Sequence, residues 1–408
     1  MNEPRTDRWQ LPDGVNELLP EDAWRVETLR RLIMDNSYRW GYELVMPPLI
    51  EYLDSLLTGT GETLDVQTFK IIDQHNGLSL GIRADMTPQV ARIDAHAMHG
   101  SAPNRLFYTG SVLRARTDGA GSSRTPLQFG AELFGHHGPE SDIEIIDLML
   151  DNIMISGLEQ GDILLDLGHV GVYRGLIQNA GFDQETREQL FQALLKGSRP
   201  EMAAVLDSAD TRAEVRQQFM ALASMNGKSA DVIKRARQEL AAAGDEVVQS
   251  LANLESVIKV ISEHYPDINL HVDLAELRGY RYHTGMLFAV YDESGSELAR
   301  GGRYDAIGEA FGHARPATGF SGDLINLALA KRPMEESMTP AARGIWVAGP
   351  VDSGAWKTIQ ALRKSGERVV VSLADTGLDA ASCHCDRSLV HGVHGWDVQT
   401  LESNENNS

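Results

Sequence analysis

Four short segments concentrate side chains able to do chemistry. Arg83-Ala84-Asp85-Met86-Thr87 sets a carboxylate and a hydroxyl either side of one residue. Such a pair can hold a ligand ammonium. It equally suits the cap of a helix beginning at PQVARIDAHA, because Asp and Thr accept from free helix N–H groups. Arg114 in FYTGSVLRAR leads to Gln128 and Glu132 in PLQFGAELFG. In a strand, Gln128, Gly130 and Glu132 share one face, and a buried glutamate there needs a cation or a donor. A solvated face is the alternative, which adjacent Leu133 and Phe134 disfavour. LRGYRYHTG (residues 277–285) crowds arginines and aromatic rings beside glycines, suiting a pocket for a carboxylate and a flat ring. An edge-strand ladder or an interface patch is the other reading. In Gly301-Gly302-Arg303-Tyr304-Asp305 the glycine pair admits close backbone approach and Arg303 can meet an anion; a simple hairpin turn would look the same.

These segments need elements to hold them. Trp24, Leu29, Leu32 and Ile33 fall at helical spacing over Asp22 to Tyr38, and WGYELVMPPLI then turns extended and ends in a proline pair. Phe69 to Ile82 reads as a hairpin about Asn76-Gly77. Strands are expected at Arg105 to Leu113 and Pro126 to Gly135, flanking a Gly/Ser-rich loop from Thr117 to Ser123, and a helix at Glu140 to Ile155. Residues 172–264 read as a mostly helical insertion. Strands return at Ile268 to Leu274 and Met286 to Tyr291. The expected domains are a core of 1–171 with 265–332, the insertion of 172–264, and a truncated C-terminal α/β unit of 333–408. That last unit begins in a linker, Lys331 to Ala342, and carries a β-α-β unit, one hairpin in SLVHGVHGWDVQTL and a disordered tail, ESNENNS. The main domain is thus α+β, with a sheet that leans antiparallel.

Bulk properties exclude several classes. The 58 acidic and 37 basic residues among 408 give a net charge of -21, which repels nucleic-acid phosphates unless a local basic patch intervenes. The richest basic run, Val232 to Arg237, reads as a solvated helix face. The two cysteines, Cys383 and Cys385, build no disulfide framework. With no signal-peptide pattern and no apolar run near membrane-span length, a cytoplasmic location is expected. Cys383-His384-Cys385, with His391 and His394, fits no closed zinc pattern, and His96 with His99 reads as an ordinary helix face. No metal, no cofactor and no catalytic triad, Walker or Rossmann signature is expected.

Taken in order, these segments resemble histidyl-tRNA synthetase, a class II aminoacyl-tRNA synthetase, from about Gly14 to Lys331. GVNELLPEDAWRVETLRRLI with WGYELVMPPLIEY resembles the dimer-forming motif 1, FYTGSVLRAR through QFGAELFG motif 2, and PATGFSGDLINLALA stands at motif 3. ELRGYRYHTGMLFAVYDE and ARGGRYDAIGEAFG resemble the two segments peculiar to the histidine enzyme. The resemblance implies a class II synthetase-like antiparallel sheet with flanking helices. It implies that Asp85, Thr87, Gln128 and Glu132 hold the amino acid, with Glu132, Tyr282 and His283 near the imidazole and Arg114 and Arg278 facing the carboxylate. Asp85 stands for a glutamate of the family pattern and His283 for a tyrosine.

The nucleotide half departs further. The Glu-Arg ending motif 3, whose arginine clamps the triphosphate, is Ile325-Asn326 here, and the adenine-contacting glutamate of motif 2 is Arg116. Losing a transition-state donor lowers rates by about a hundred- to a thousandfold, so adenylate formation is expected to fail and catalytic residues are expected to be none. The chain is similar, at SRTPLQFGAELFG and LRGYRYHTG above all, to the synthetase paralogues that act as regulatory subunits of ATP phosphoribosyltransferase. That resemblance implies a homodimer partnered by a short-form catalytic subunit, with L-histidine as effector, no tRNA and no membrane. The alternatives are a histidyl-tRNA synthetase with an atypical motif 3, or a stand-alone histidine-sensing module.

Overall fold

A computed structural model describes residues 10–58, 62–98, 100, 102–116, 123–277, 279–280, 282–330, 344–373, 377–393 and 395–401. The chain divides into two compact units, Met1–Pro333 and Met334–Ser408. Residues 331–342, 402–408 and most of the loop 117–123 lie outside the described residues, and so do the expectations placed on them.

Helix α1 (Pro20–Arg39) starts on a proline with Glu21 and Asp22 in its first turn, where missing N–H partners and the helix dipole favour both choices. Leu29 and Ile33 point inward, whereas Trp24 and Leu32 are exposed. After β1 (Glu43–Leu44) come β2 (Ile50–Tyr52), short helices α2 (Leu53–Leu57) and α3 (Glu62–Gln67), and the hairpin of β3 (Phe69–Ile72) and β4 (Ser79–Ile82). The three strands form a small sheet ordered β2-β4-β3, turned at Gly77 with φ +75°. Then follow α4 (Thr87–Ala97), β5 (Asn104–Ser111), β6 (Leu127–Phe134), α5 (Pro139–Met154) and β7 (Ile163–His169). Helices α6 (Val170–Ala180), α7 (Gln184–Leu195), α8 (Arg199–Ser208), α9 (Ala213–Leu222), α10 (Ser229–Glu239) and α11 (Asp245–His264) fill the next stretch. One short strand, β8 (Asn226–Lys228), interrupts them and pairs with β9 (Asn269–Asp273). The unit closes with β10 (Met286–Asp292), β11 (Glu297–Arg303), β12 (Ala317–Asp323) and α12 (Leu324–Ala330).

The main sheet has nine strands in the order β1-β5-β6-β12-β11-β10-β7-β9-β8, antiparallel from β5 through β7. Cross-strand partners share a face, so the register sorts the side chains into two layers. Phe107, Phe129, Ala131, Phe288, Phe320 and Leu167 form the buried layer, against which α5 and α11 pack. Tyr108, Gln128, Gly130, Glu132, Gly319 and Gly302 lie on the other face. Four of these strands were not expected: β7, β8, β11 and β12. In β11 and β12, Gly301, Gly302, Gly319 and Gly322 interrupt the run of side chains, so the period-two signal that marks a strand is weak. The Gly301-Gly302 pair is accordingly in mid-strand, and not in a hairpin turn.

In the second unit β13 (Ile345–Val347), α13 (Ser353–Lys364) and β14 (Val369–Val371) make a parallel β-α-β unit, and β15 (Arg387–Gly392) and β16 (Gly395–Thr400) a hairpin. Ile345, Val347, Ile359, Val369 and Leu389 form its core. Asp352 caps α13 by accepting from the Ala355 N–H at 2.7 Å. Cys383 and Cys385 are both free thiols. His391 packs edge-on to Trp396 at 5.1 Å; His394 and His99 lie outside the described residues. Among the described residues, no helix is long and apolar enough to cross a membrane, and no group of three or more His, Cys, Asp and Glu side chains is arranged to hold a metal.

Candidate functional site

The open face of the main sheet carries a continuous hydrogen-bond network. Asp85, just before α4, accepts from the Thr87 N–H at 3.0 Å and from Gln128 Nε2 at 2.9 Å. Gln128 Oε1 in turn accepts from the Met86 N–H at 2.9 Å. One carboxylate thus orients the helix start and a buried glutamine together. Thr87 Oγ1 lies 3.0 Å from Tyr108 Oη, which donates to Glu132 Oε1 at 2.9 Å, and Tyr304 Oη donates to Glu132 Oε2.

Glu132 is 1% exposed. Its burial pushes the carboxyl up to about 8, against the pull of the Tyr304 and Tyr108 hydroxyls. Burial beside that carboxyl also holds both phenols well above their ordinary range. The carboxylate sits where it does because position 319 has no side chain: a Cβ there would collide with Glu132 Oε2. Gly302, one strand on, leaves room in the same way for the His283 ring, which a Cβ would meet at 2.8 Å.

His283 is 8% exposed and Tyr282 is 53% exposed, their rings 4.3 Å apart. The His283 ring also stands 6.4 Å from that of Tyr304, and its Nδ1 is 3.2 Å from the Arg303 carbonyl oxygen. Burial pushes this imidazole down to about 4, so it is neutral near pH 7. Arg303 is held from behind the sheet, in a buried ion pair with Asp142 (3.0 Å) and through the carbonyls of His136 and Gly138 at 3.0 and 3.1 Å. The anion-binding reading of Arg303 is thus corrected: its partner is internal, on α5. Tyr282 and His283 border a small cleft of ≈ 40 Å³ that continues past Leu287, Ala289, Asp166 and Arg300.

The structure brings Asp85, Thr87, Gln128 and Glu132 into one network, with His283 over the adjoining glycine row. Arg278 lies outside the described residues. Arg114 is half-buried, and its Nε is buried without a hydrogen-bond partner. Its charge draws down the carboxyl of Asp323, which burial pushes up. Asp323 Oδ1 accepts from the Ile325 N–H at 3.0 Å at the head of α12, where Asn326 is exposed. Arg116 is exposed at the edge of the loop. Sequence reasoning missed Tyr108 and passed over Tyr304, the two donors to Glu132. The available signal for Tyr108 was its place in FYTG: a tyrosine next to the buried Phe107 and two strand positions before a glycine sits on the face opposite that phenylalanine.

The histidyl-tRNA synthetase family profile matches residues 14–327, and one described as the ATP phosphoribosyltransferase subunit HisZ C-terminal domain matches residues 342–399. A protein of Thioalkalivibrio sulfidiphilus named ATP phosphoribosyltransferase regulatory subunit is 50% identical over 97% of this chain and 99% of its own. One of the same name from Alkalilimnicola ehrlichii is 50% identical over 97% of this chain and 98% of its own. Among solved structures, an ATP phosphoribosyltransferase regulatory subunit/histidyl-tRNA synthetase from Bacillus halodurans aligns with a TM-score of 0.76 and 25% identity, over 94% of this chain and 97% of that one. A histidyl-tRNA synthetase from Nostoc reaches the same TM-score at 18% identity, over 98% and 96% of the two chains, a likeness of fold. With a synthetase-type sheet in its first unit and a matching second unit, this chain belongs to the family of ATP phosphoribosyltransferase regulatory subunits.

Proposed function

We propose that the chain is the non-catalytic partner of a short-form ATP phosphoribosyltransferase catalytic subunit, raising its turnover in the first step of histidine biosynthesis and conferring inhibition by L-histidine. One observation carries the effector: the closed network from Asp85 through Gln128, and from Thr87 through Tyr108 to Glu132 and Tyr304, has the polarity of an amino-acid site. The carboxylate of Asp85 and hydroxyl of Thr87 suit an ammonium, Arg114 with its unpartnered Nε suits a carboxylate, and Glu132, Tyr282 and His283 surround the place of an imidazole. The triphosphate side lacks its counterpart, because Ile325 and Asn326 head α12 and neither can neutralise a leaving pyrophosphate. Histidine then acts by binding two states of the assembly unequally.

Self-association belongs to the same reading. Apolar side chains are exposed on α1 (Tyr38 at 70%), on the small sheet (Ile72 at 62%, Tyr52 at 52%) and on the segment leading to it (Met46 at 78%), a surface of the kind that marks an interface. Closed two-fold pairing through it is the simplest arrangement.

The test is to mix the purified chain with a short catalytic chain and assay turnover with and without histidine. Turnover rising on mixing and falling with histidine supports the reading; no change on mixing removes it. Histidine-dependent exchange of pyrophosphate into ATP by the chain alone would instead make it a synthetase, and the lost arginine position predicts none.

A further inference from the structure

Just before β15 the second unit runs through a strap of tight turns that carries both cysteines of the chain. Asp379 starts it: its carboxylate accepts from the Ser382 N–H at 2.8 Å and from the Ser382 hydroxyl at 2.6 Å. The backbone then folds back on itself. The N–H groups of Cys383, His384 and Cys385 donate to the carbonyls of Asp379, Ala381 and Ala380 at 3.2, 3.0 and 2.8 Å. His384, between the two cysteines, has φ +51°, a left-handed conformation that few residues with a side chain adopt. An extended chain would set the Cα atoms of residues 383 and 385 roughly 7 Å apart, at the outer limit of the about 4.4–6.8 Å that a disulfide spans. The turn at His384 shortens that span and brings Cys385 Sγ to 3.5 Å from the Cys383 carbonyl oxygen. The two sulfurs are then within reach of one another by rotation about side-chain bonds.

The thiols are placed unequally. Cys383 is partly exposed. Cys385 is 9% exposed, its sulfur lying over Gly344, where a Cβ would come within 3.0 Å of it. Arg368, at the turn into β14, holds the strap from another side. Its Nη1 donates to the Cys383 and His384 carbonyls at 3.0 and 3.3 Å and stands 3.7 Å from Cys385 Sγ. Burial pushes the Cys385 thiol up, against the pull of that guanidinium. An outside reagent therefore meets Cys383 first. Cys385 needs no access from solvent to attack a sulfur already bonded to its neighbour, and the cation beside it favours the thiolate as it forms.

We propose that Cys383 and Cys385 form a modification site, which reacts with a low-molecular-weight disulfide of the glutathione type at Cys383 and resolves it by closing a Cys383–Cys385 disulfide. In the first step the Cys383 thiolate attacks one sulfur of the reagent, a mixed disulfide forms, and one reagent thiolate leaves. In the second, Cys385 gives its proton to solvent, its thiolate attacks the Cys383 sulfur, and the second reagent thiolate is expelled. Two protein thiols lose two electrons and the reagent disulfide gains them as two thiols, so atoms and charge balance. Arg368 is a positioning residue for the second step, because it clamps the carbonyls of the turn and faces the sulfur that must ionise. The site lies wholly in the second unit and does not depend on the effector reading above.

The experiment exposes the reduced full chain to glutathione disulfide, quenches samples with acid, alkylates the remaining thiols and weighs the tryptic peptide 369–387, which contains both cysteines. Expected is a transient peptide carrying one glutathione, followed by an unalkylated peptide lighter by two hydrogens, which dithiothreitol restores. Cys385→Ser stops at the glutathione adduct. Cys383→Ser, left with the buried thiol, reacts about tenfold more slowly. Arg368→Gln forms the adduct at the rate of the unaltered chain but closes the ring about threefold more slowly, so the adduct accumulates; Arg368→Lys recovers part of the closing rate. A merely structural role for Arg368 would change both steps alike. Thiols that stay unreacted, an adduct appearing first at Cys385, two adducts without closure, or a disulfide between two chains each overturn the inference. The time course of the unaltered chain decides the main claim by itself, whatever the variants do to folding.

Discussion

The two walls of the proposed site are built differently. Glu132 and Gln128 stand on β6, inside the nine-stranded sheet between β5 and β12, where strand register fixes what lies across from them. His283 and Tyr282 stand on an irregular segment between β9 and β10, and much of what holds it comes from the helical stretch. Arg174 on α6 donates to the carbonyls of Thr284 and His283 at 3.1 and 3.0 Å. Tyr280 packs edge-on to Tyr173 at 5.1 Å and against Phe191 at 5.5 Å, side chains of α6 and α7. A wall fixed by a sheet opens only when the fold opens. A wall fixed by helices outside the sheet can shift with them, which gives the helical stretch a physical connection to ligand occupancy.

Perturbing the sheet wall carries the largest expected effect. Gly319→Ala drives a Cβ into the Glu132 carboxylate and to 2.7 Å from the Ala131 carbonyl oxygen, and neither the strand nor the buried acid has space to retreat. Overpacking of this kind costs about 1–3 kcal/mol, with histidine binding abolished in calorimetry and a clear drop in thermal midpoint. An unaltered midpoint would break the claim that the sheet wall is rigid. Next comes the buried acid itself. Because Glu132 titrates near 8 when folded and near the ordinary carboxylate value when unfolded, the folded chain binds the extra proton between those limits. Its contribution to stability is fully present below the unfolded value and is lost as pH rises through about 8. The thermal midpoint should fall across that window, and Glu132→Gln should flatten the slope. Tyr304→Phe removes a hydroxyl that pulls Glu132 down, so it should move the titration further up at a cost of about 1 kcal/mol. Carboxyl NMR titration would show the shift.

The difference between the walls also governs what could be read from the chain alone. Asp85, Gln128 and Glu132 were legible because strand periodicity and a helix start fix where such side chains point, and the network joins them. The strands β11 and β12 were not, because the glycines that leave room for Glu132 and His283 also weaken the alternation that identifies a strand. Tyr108 and Tyr304 were hidden for a related reason: which hydroxyl reaches Glu132 depends on pairing between segments far apart in sequence. Arg303 looked like an anion hook until the register put it on the opposite face, against Asp142. The anchorage of residues 279–284 to α6 and α7 left no sequence signal, since it joins one loop to helices about a hundred residues away.

Smaller effects sharpen the comparison from the helical side. Arg174→Ala deletes two hydrogen bonds to the His283-bearing segment and leaves β6 untouched. The guanidinium is half-buried, so global stability should change by about 1 kcal/mol, while the loop gains freedom that the ligand must remove on binding. The expected result is a five- to tenfold weaker histidine affinity, because the groups on β6 remain in place. Faster amide exchange should be confined to residues 279–285. If exchange accelerated equally in β6, the two walls would be one mechanical unit and the contrast between them would disappear. Arg174→Lys restores a charge but cannot fork to two carbonyls, so it should recover only part of the affinity, and the size of that part measures how much of the loop's order comes from the paired geometry of the arginine.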